Sequence, residues 1–261
     1  MLTLIQRFAG ATRSLAHLPQ YLKETSYRNV SGAPGPFQAA HNSQNSFFEW
    51  LISDPAMMSN FNTFMAGNLE TRKNWFDAFP AEKIVFDGAS TDPESVLLID
   101  IAGGEGHDIE RFHQKFRDAP GRLVLQDLAP SINNIKSLDE TITRQVYDFF
   151  TEQPIKGARI YFVKYIFHDW PTKDCVAILK NIAAAMKPGY SKLLIAEWIL
   201  PAKDVALYPA LLDINMMCLL NGMERTETQW EAMLNEAGLD IVKFWKADAE
   251  SEGLIEAVVK K

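Results

Sequence analysis

Leu98-Ile-Asp-Ile-Ala-Gly-Gly-Glu-Gly-His-Asp108 reads as a buried strand running into a glycine turn and then into the first turn of a helix. An apolar run without alternation has no polar face, so such a strand is covered on both sides, as in a parallel sheet. Small residues in the turn let the backbone pass close to a ligand at the strand's carboxyl end. Downstream, further apolar runs fall at 122–128, 145–149, 159–167 and 192–200, and two more at 240–245 and 254–259 close the chain. Helical patterns over 107–117, 172–187 and 226–237 separate them. Strands alternating with helices, joined by right-handed crossovers, give a doubly wound, Rossmann-like α/β fold. The last two runs lie close together with no strong helix between them, which predicts an antiparallel pair at one edge of a mostly parallel sheet.

Upstream of residue 95 the pattern is helical. Apolar residues of 1–28 recur at roughly helical spacing, and Pro19 marks the start of a second short helix. Ser31-Gly-Ala-Pro-Gly-Pro36 is a break. Helices are expected over 44–53, 55–67 and 69–79, the second capped by Asp54 ahead of Pro55. Their aromatic and methionine stripe suits a core, and its density also suits a lid over an apolar ligand.

The net charge of −7 opposes nucleic acid as the main partner, since phosphate neutralisation needs a basic surface. No apolar run approaches the ~20 residues of a membrane span. The apolar start is too short for a secretory h-region, so a cytoplasmic location is expected, without a membrane partner. Cys175 and Cys218 have no metal or redox spacing and read as buried small hydrophobes. His107 and His113 are six apart, which is no same-face helical pair, and no metal is expected.

The glycine turn points to an adenosyl ligand. Asp127 ends the second run 21 residues after Gly106, placed to accept both ribose hydroxyls. A dinucleotide would call for a third glycine where Ile109 stands. Asp100 and Glu105 add negative charge, poor for a diphosphate and acceptable for a sulfonium cation. These residues favour S-adenosylmethionine and leave a dinucleotide oxidoreductase as a remote alternative. Asp148 and Phe149, expected at the end of the third strand, could hold adenine by a carboxylate and a ring. Asp148 reads equally well as a helix N-cap.

His168 falls where the fourth strand becomes loop, beside Asp169 and Trp170. A lone histidine is more often structural. At this sheet edge a neutral imidazole could take the proton of a phenol as its oxygen is alkylated, the phenol titrating near ~10 and imidazole near ~6.5. Glu197 ends the fifth strand, where an unpaired carboxylate would be costly, so it wants a donor, and His168 on the neighbouring strand is a candidate. Glu224 precedes a helix capped by Thr226; it is either a surface acid or a partner that fixes the imidazole tautomer.

In order along the chain, Gly35-Pro-Phe-Gln38, Phe47-Phe-Glu-Trp-Leu51, the glycine turn, His168-Asp-Trp-Pro171, Met186-Lys-Pro-Gly-Tyr-Ser-Lys192 and Glu224-Arg-Thr226 resemble the plant and fungal small-molecule O-methyltransferases. This is the caffeate and flavonoid class, and the fungal polyketide enzymes of the sterigmatocystin-methyltransferase kind look nearest. The resemblance implies a class I methyltransferase sheet, S-adenosylmethionine as cofactor and S-adenosylhomocysteine as product. It places the cofactor against Ala102, Gly103, Gly104, Asp127, Leu128, Asp148, Phe149 and Lys164. It makes His168 the base, flanked by Glu197 and Glu224, and sets Asp169 beside a small hydrophobic aromatic acceptor. Phe47, Met65, Trp75, Asp213, Met216 and Met217 would form the pocket wall. It implies three segments: 1–28 as the tail of a winged-helix dimerisation region, 29–94 as pocket and lid, and 95–261 as the cofactor domain. Family members are homodimers through that winged-helix region, most of which lies ahead of what corresponds to residue 1. The family's first turn glycine is Ala102 here. Two alternatives accompany the resemblance: a protein that holds the same cofactor for a pericyclic, decarboxylating or hydroxylating reaction, and a catalytically silent partner.

Overall fold

The computed structural model describes residues 2–61, 74–247 and 251–260. The chain divides into two compact units. One comprises Met1–Lys73, Phe167–Thr172 and Lys203–Glu224; the other holds the rest.

The larger unit is built on seven strands: β1 (Val96–Ile101), β2 (Arg122–Asp127), β3 (Thr143–Val146), β4 (Ile160–Lys164), β5 (Lys192–Glu197), β8 (Leu239–Trp245) and β9 (Gly253–Val259). Their order is β3-β2-β1-β4-β5-β9-β8. The first five pair in parallel, β9 lies antiparallel to β5, and β8 antiparallel to β9. This is the doubly wound sheet with an antiparallel edge that the apolar runs predict. Strand order reverses between β1 and β4, and the crevice outside the carboxyl ends at such a reversal is where open α/β sheets take ligands.

Leu97, Leu98, Ile99 and Ile101 of β1 are buried, as are Ile160, Tyr161, Phe162 and Val163 of β4. Trp75 and Phe76 of the short helix α4 (Trp75–Ala78) pack into the sheet's core beside Ile109 and Phe112 of α5 (His107–Lys115), and α6 (Ala129–Asn134) and α7 (Thr172–Ala185) follow β2 and β4 along the chain. Each such side chain contributes about 1.5–3 kcal/mol by leaving water.

The strand ends depart most from the apolar runs at three places. β3 stops at Val146 rather than 149, because Asp148 closes a turn: its Oδ1 accepts the Phe150 N–H at 2.9 Å and its carbonyl the Thr151 N–H at 2.9 Å. β4 stops at Lys164 rather than 167, because Tyr165 turns into the left-handed region at φ 52° and Phe167–Asp169 forms a 3-10 turn. The run 192–200 divides after Glu197, and β6 (Ile199–Leu200) pairs instead with β7 (Arg225–Thr226) in a separate ribbon.

The smaller unit is helical. α1 (Leu2–Glu24) is one helix through Pro19, not two. Pro19, Leu15 and Ala16 are exposed, so water can satisfy the carbonyl that proline leaves without a donor. α2 (Pro36–His41) starts with proline at its first position, inside the segment read as a break. α3 (Phe47–Ile52) is capped by Ser46, and residues 55–61 continue as helix with Asp54 Oδ1 accepting the Ala56 and Met57 N–H groups at 3.0 and 3.2 Å. Phe37, Phe47 and Leu51 form an apolar cluster with Leu219 of α8 (Leu207–Leu220), a helix the sequence reading lacked. Leu-Tyr-Pro-Ala-Leu-Leu-Asp-Ile-Asn-Met-Met-Cys-Leu-Leu is apolar on every side, which hides helical periodicity. No described helix is long and apolar enough to cross a membrane.

Candidate active site

The crevice end of the larger unit is shaped by the turn after β1. Ala102 sits at φ 57° and Gly104 at φ 62°. A left-handed alanine costs roughly 1–2 kcal/mol, and the turn keeps it. A Cβ on Gly103 would stand 2.5 Å from Cγ of Asp100 and 2.6 Å from Cδ1 of Leu125, so only glycine fits. A Cβ on Gly104 would meet nothing within 4 Å, and the backbone there is open to a ligand. Asp127, at the end of β2, fastens the turn: its Oδ2 accepts the Gly104 N–H at 2.8 Å while its Oδ1 accepts the Leu128 N–H at 2.7 Å. Each carboxylate oxygen keeps a second lone pair for a hydroxyl.

Lys164 ends β4 and forms an ion pair with Asp108 in the first turn of α5, at 2.6 Å. Sequence reading missed Asp108, since an acid in a helix's first turn is explained by the helix dipole alone. Leu128 is exposed. Asp148 is exposed in the turn already described, neither at a strand end nor at a helix N-cap, and Phe149 follows it, its carbonyl accepting from Asn181 Nδ2 at 3.0 Å.

Asp100 is buried within β1, and its Oδ2 makes no hydrogen bond among the described residues. Burial raises its carboxyl well above the ordinary carboxylate range; Asp108 and Asp127 add to the rise, while Lys164 and the Ile109 N–H oppose it. The raised group favours the fold when protonated, below its unfolded pKa, and that contribution is lost as pH rises through the folded value. Asparagine has the same shape and no titration. Asp100→Asn should therefore gain in melting temperature relative to the parent as pH rises above about 4, where the unfolded carboxyl begins to ionise. A difference that stays flat across paired thermal melts would show that the carboxyl does not titrate there.

The smaller unit holds the candidate base. His168 is buried in the 3-10 turn, and its Nδ1 lies 2.8 Å from Oε1 of the buried Glu224. An ionised carboxylate has no proton to give, so the imidazole donates from Nδ1 and leaves the Nε2 lone pair as acceptor. Nε2 lies 3.4 Å from Oδ1 of Asp169. The His168 carbonyl accepts the Met223 N–H at 3.0 Å. A Cβ on Gly222 would stand 1.9 Å from that same carbonyl oxygen, so this glycine allows the close approach. Its only signal in the sequence is its place between Asn221 and Met223.

The remaining candidates are placed as follows. Glu197 is buried at the end of β5, and a donor it requires is the Ile166 N–H at 3.0 Å, on the chain leading to His168. Thr226 caps α9 (Glu227–Glu236) as expected, accepting the Gln229 N–H at 3.4 Å. Asp213, expected as pocket wall, accepts the Glu224 N–H at 2.8 Å. Met216 is buried and Met217 half-buried one turn along the same helix. Phe47 lies edge-on to Phe37 at 5.5 Å in the apolar cluster. Trp75 stacks on Phe112 at 5.9 Å within the core of the sheet, the first of the two roles its stripe suits. Met65 lies outside the described residues.

A family model described as the O-methyltransferase domain matches residues 21–240. O-methyltransferase asqD of Emericella nidulans is 40% identical over 247 residues, which cover 94% of this chain and 64% of that protein. A solved structure described as a pericyclic reaction enzyme superposes with a TM-score of 0.88 at 31% identity, over 97% of this chain and 65% of that one. OxaC, solved in complex with SAH and oxaline, superposes with a TM-score of 0.83 at 30% identity, over 95% and 63%. The chain thus spans between 63% and 65% of the length of each of these relatives.

Proposed function

Since the chain belongs to the O-methyltransferase domain family, we propose that it moves a methyl group from S-adenosylmethionine to a hydroxyl, phenolic in kind, on a small hydrophobic acceptor of secondary metabolism. S-adenosylhomocysteine is the other product. The observation that carries this reading is the 2.8 Å pairing of His168 Nδ1 with buried Glu224, which turns Nε2, the nitrogen beside Asp169, to the task of taking an acceptor's proton.

The crevice residues suit the cofactor. Asp127 offers oxygens to ribose hydroxyls, and the open backbone at Gly104 leaves room above the turn. Asp108 and Asp127 both act on Asp100 as negative charges, against the ammonium of Lys164, a setting that suits a cation better than a diphosphate. When bound, the sulfonium supplies an electrophilic methyl group. His168 Nε2 takes the hydroxyl proton as the acceptor oxygen forms its bond to carbon, and Glu224 stabilises the resulting imidazolium. The thioether leaving group needs no acid, so the chain's remaining task is alignment.

In the same reading Ala102, Gly103, Leu128, Asp148, Phe149 and Lys164 complete the cofactor contacts, and Glu197 flanks the base. Asp169, Phe47, Met216 and Met217 would face the acceptor. The roles of 1–28, 29–94 and 95–261 as dimerisation tail, pocket segment and cofactor domain belong to it too, as do a homodimer and a cytoplasmic location.

A non-methylating reaction around the same cofactor is the second reading, favoured by the likeness to a pericyclic reaction enzyme. A paired histidine base has little to do in such a step. Incubation with S-adenosylmethionine and a panel of polycyclic phenols, followed by mass spectrometry, separates the two. Methyl transfer yields a product heavier by one methylene unit with S-adenosylhomocysteine in equal amount. A product of altered skeleton and unchanged cofactor would overturn it.

A further inference from the structure

We infer that Asp213 is a positioning residue for the base, acting through the backbone of Glu224 rather than as a wall of the acceptor pocket. The inference rests on the reading of His168 as base and adds to it.

The segment from Asn221 to Glu224 is fastened at each residue. Asn221 caps α8 in the left-handed region at φ 59°, and its N–H bonds the Met216 carbonyl. The Gly222 N–H also reaches the Met216 carbonyl, at 3.3 Å. Met223 donates to the His168 carbonyl at 3.0 Å. The Glu224 N–H donates to Oδ1 of Asp213 at 2.8 Å, one turn of helix before Met216 and Met217. Glu224 in turn holds the imidazole at 2.8 Å.

The backbone bonds of Asn221 and Gly222 fix where the loop leaves the helix. They do not fix the rotation of the Glu224 peptide, which sets the direction of its side chain. That rotation is held by Asp213, and the bond is charge-assisted, hence among the stronger and shorter kinds. A carboxylate that swings by an ångström loses its hold on Nδ1, and the ring then samples the tautomer with the proton on Nε2, where it cannot act as base. Misplacement on this scale can slow a reaction by about a hundredfold. α8 therefore carries the methionines of the proposed acceptor wall and the anchor of the base on one element. The sequence of the helix gives no hint of this, and the family resemblance sets Asp213 in the pocket wall instead.

Asp213→Ala and Asp213→Asn decide the matter together. The asparagine amide can present its oxygen to the same N–H, whereas alanine cannot. Alanine should lower kcat about ten- to hundredfold with little change in the acceptor's KM, and asparagine should restore most of it. Nitrogen-15 spectra of the imidazole should show the Nδ1–H tautomer in the parent and in Asp213→Asn, and a mixture in Asp213→Ala. A parent-like ring spectrum and kcat in the alanine variant would overturn the inference. So would an asparagine variant as impaired as alanine, which would assign the residue's effect to its charge. Should alanine fail to fold, hydrogen exchange at the Glu224 amide of the parent decides: protection supports the anchor, and exchange at the rate of an open loop removes it. The ring spectra and the exchange need no turnover. A parent that methylates nothing would sink the functional reading while leaving this inference to be settled on its own.

Discussion

Replacing His168 with alanine should lower kcat about 10²- to 10⁴-fold while leaving S-adenosylhomocysteine affinity within a few-fold of the parent. A phenol holds its proton at neutral pH, so its oxygen becomes a good nucleophile only as the proton leaves. In the proposed reaction His168 Nε2 would be the acceptor, because Glu224 occupies Nδ1 from 2.8 Å and both groups are shielded from bulk water. Alanine leaves solvent to take the proton, without the fixed geometry or the paired carboxylate that stabilises the charged ring. The groups assigned to the cofactor, Gly104 and Asp127, are held by β1 and β2 and by their own hydrogen bond at 2.8 Å. Truncating an imidazole in the turn after β4 does not disturb that bond. Single-turnover rates with a methylated acceptor, set beside calorimetry with S-adenosylhomocysteine, measure the two quantities separately. Unchanged turnover in the variant would remove His168 from the mechanism, and a parallel loss of cofactor affinity would recast it as a structural residue.

The fold was legible where burial writes a pattern that chemistry cannot disguise. Strands covered on both faces are apolar throughout, and glycines mark the turn at which Gly103 has no room for a Cβ. The antiparallel edge followed from the short interval between the last two apolar runs. Strand ends were less legible, because they are set by single-residue events. Asp148 closes a turn with its own side chain, and Tyr165 enters the left-handed region. Neither event alters hydrophobicity, so neither shows in a periodicity. The helix carrying Asp213 was invisible for the opposite reason, an excess of apolar residues with no polar face to betray the period. At the site, residue types declared themselves more readily than partners. His168, Glu224 and Asp127 stood out as polar groups at strand ends and beside caps. That Asp108 pairs with Lys164, or that Asp213 holds a peptide N–H, depends on where distant segments meet.

Asp127→Ala should weaken S-adenosylhomocysteine binding by about 10²- to 10³-fold, a larger effect on affinity than any single change on the acceptor side. Two losses combine. The first is the pair of hydrogen bonds that the carboxylate would accept from the ribose hydroxyls, each to a charged group and worth about 1.5–3 kcal/mol. The second is the anchor of the turn itself, since Oδ2 accepts the Gly104 N–H at 2.8 Å and Oδ1 the Leu128 N–H at 2.7 Å. Without it the open backbone at Gly104 loses its fixed distance from β2. Asp127→Asn separates the two. Its amide keeps one oxygen for one of these N–H groups but turns an NH2 donor toward the other, and a donor facing a donor is repelled. Asparagine should therefore bind less tightly than the parent and more tightly than alanine. Calorimetry with S-adenosylhomocysteine reads the order directly, and melting curves without ligand report whether the turn has loosened. Equal affinity in all three proteins would place the ribose elsewhere and reopen the question of which nucleotide, if any, this crevice was shaped to hold.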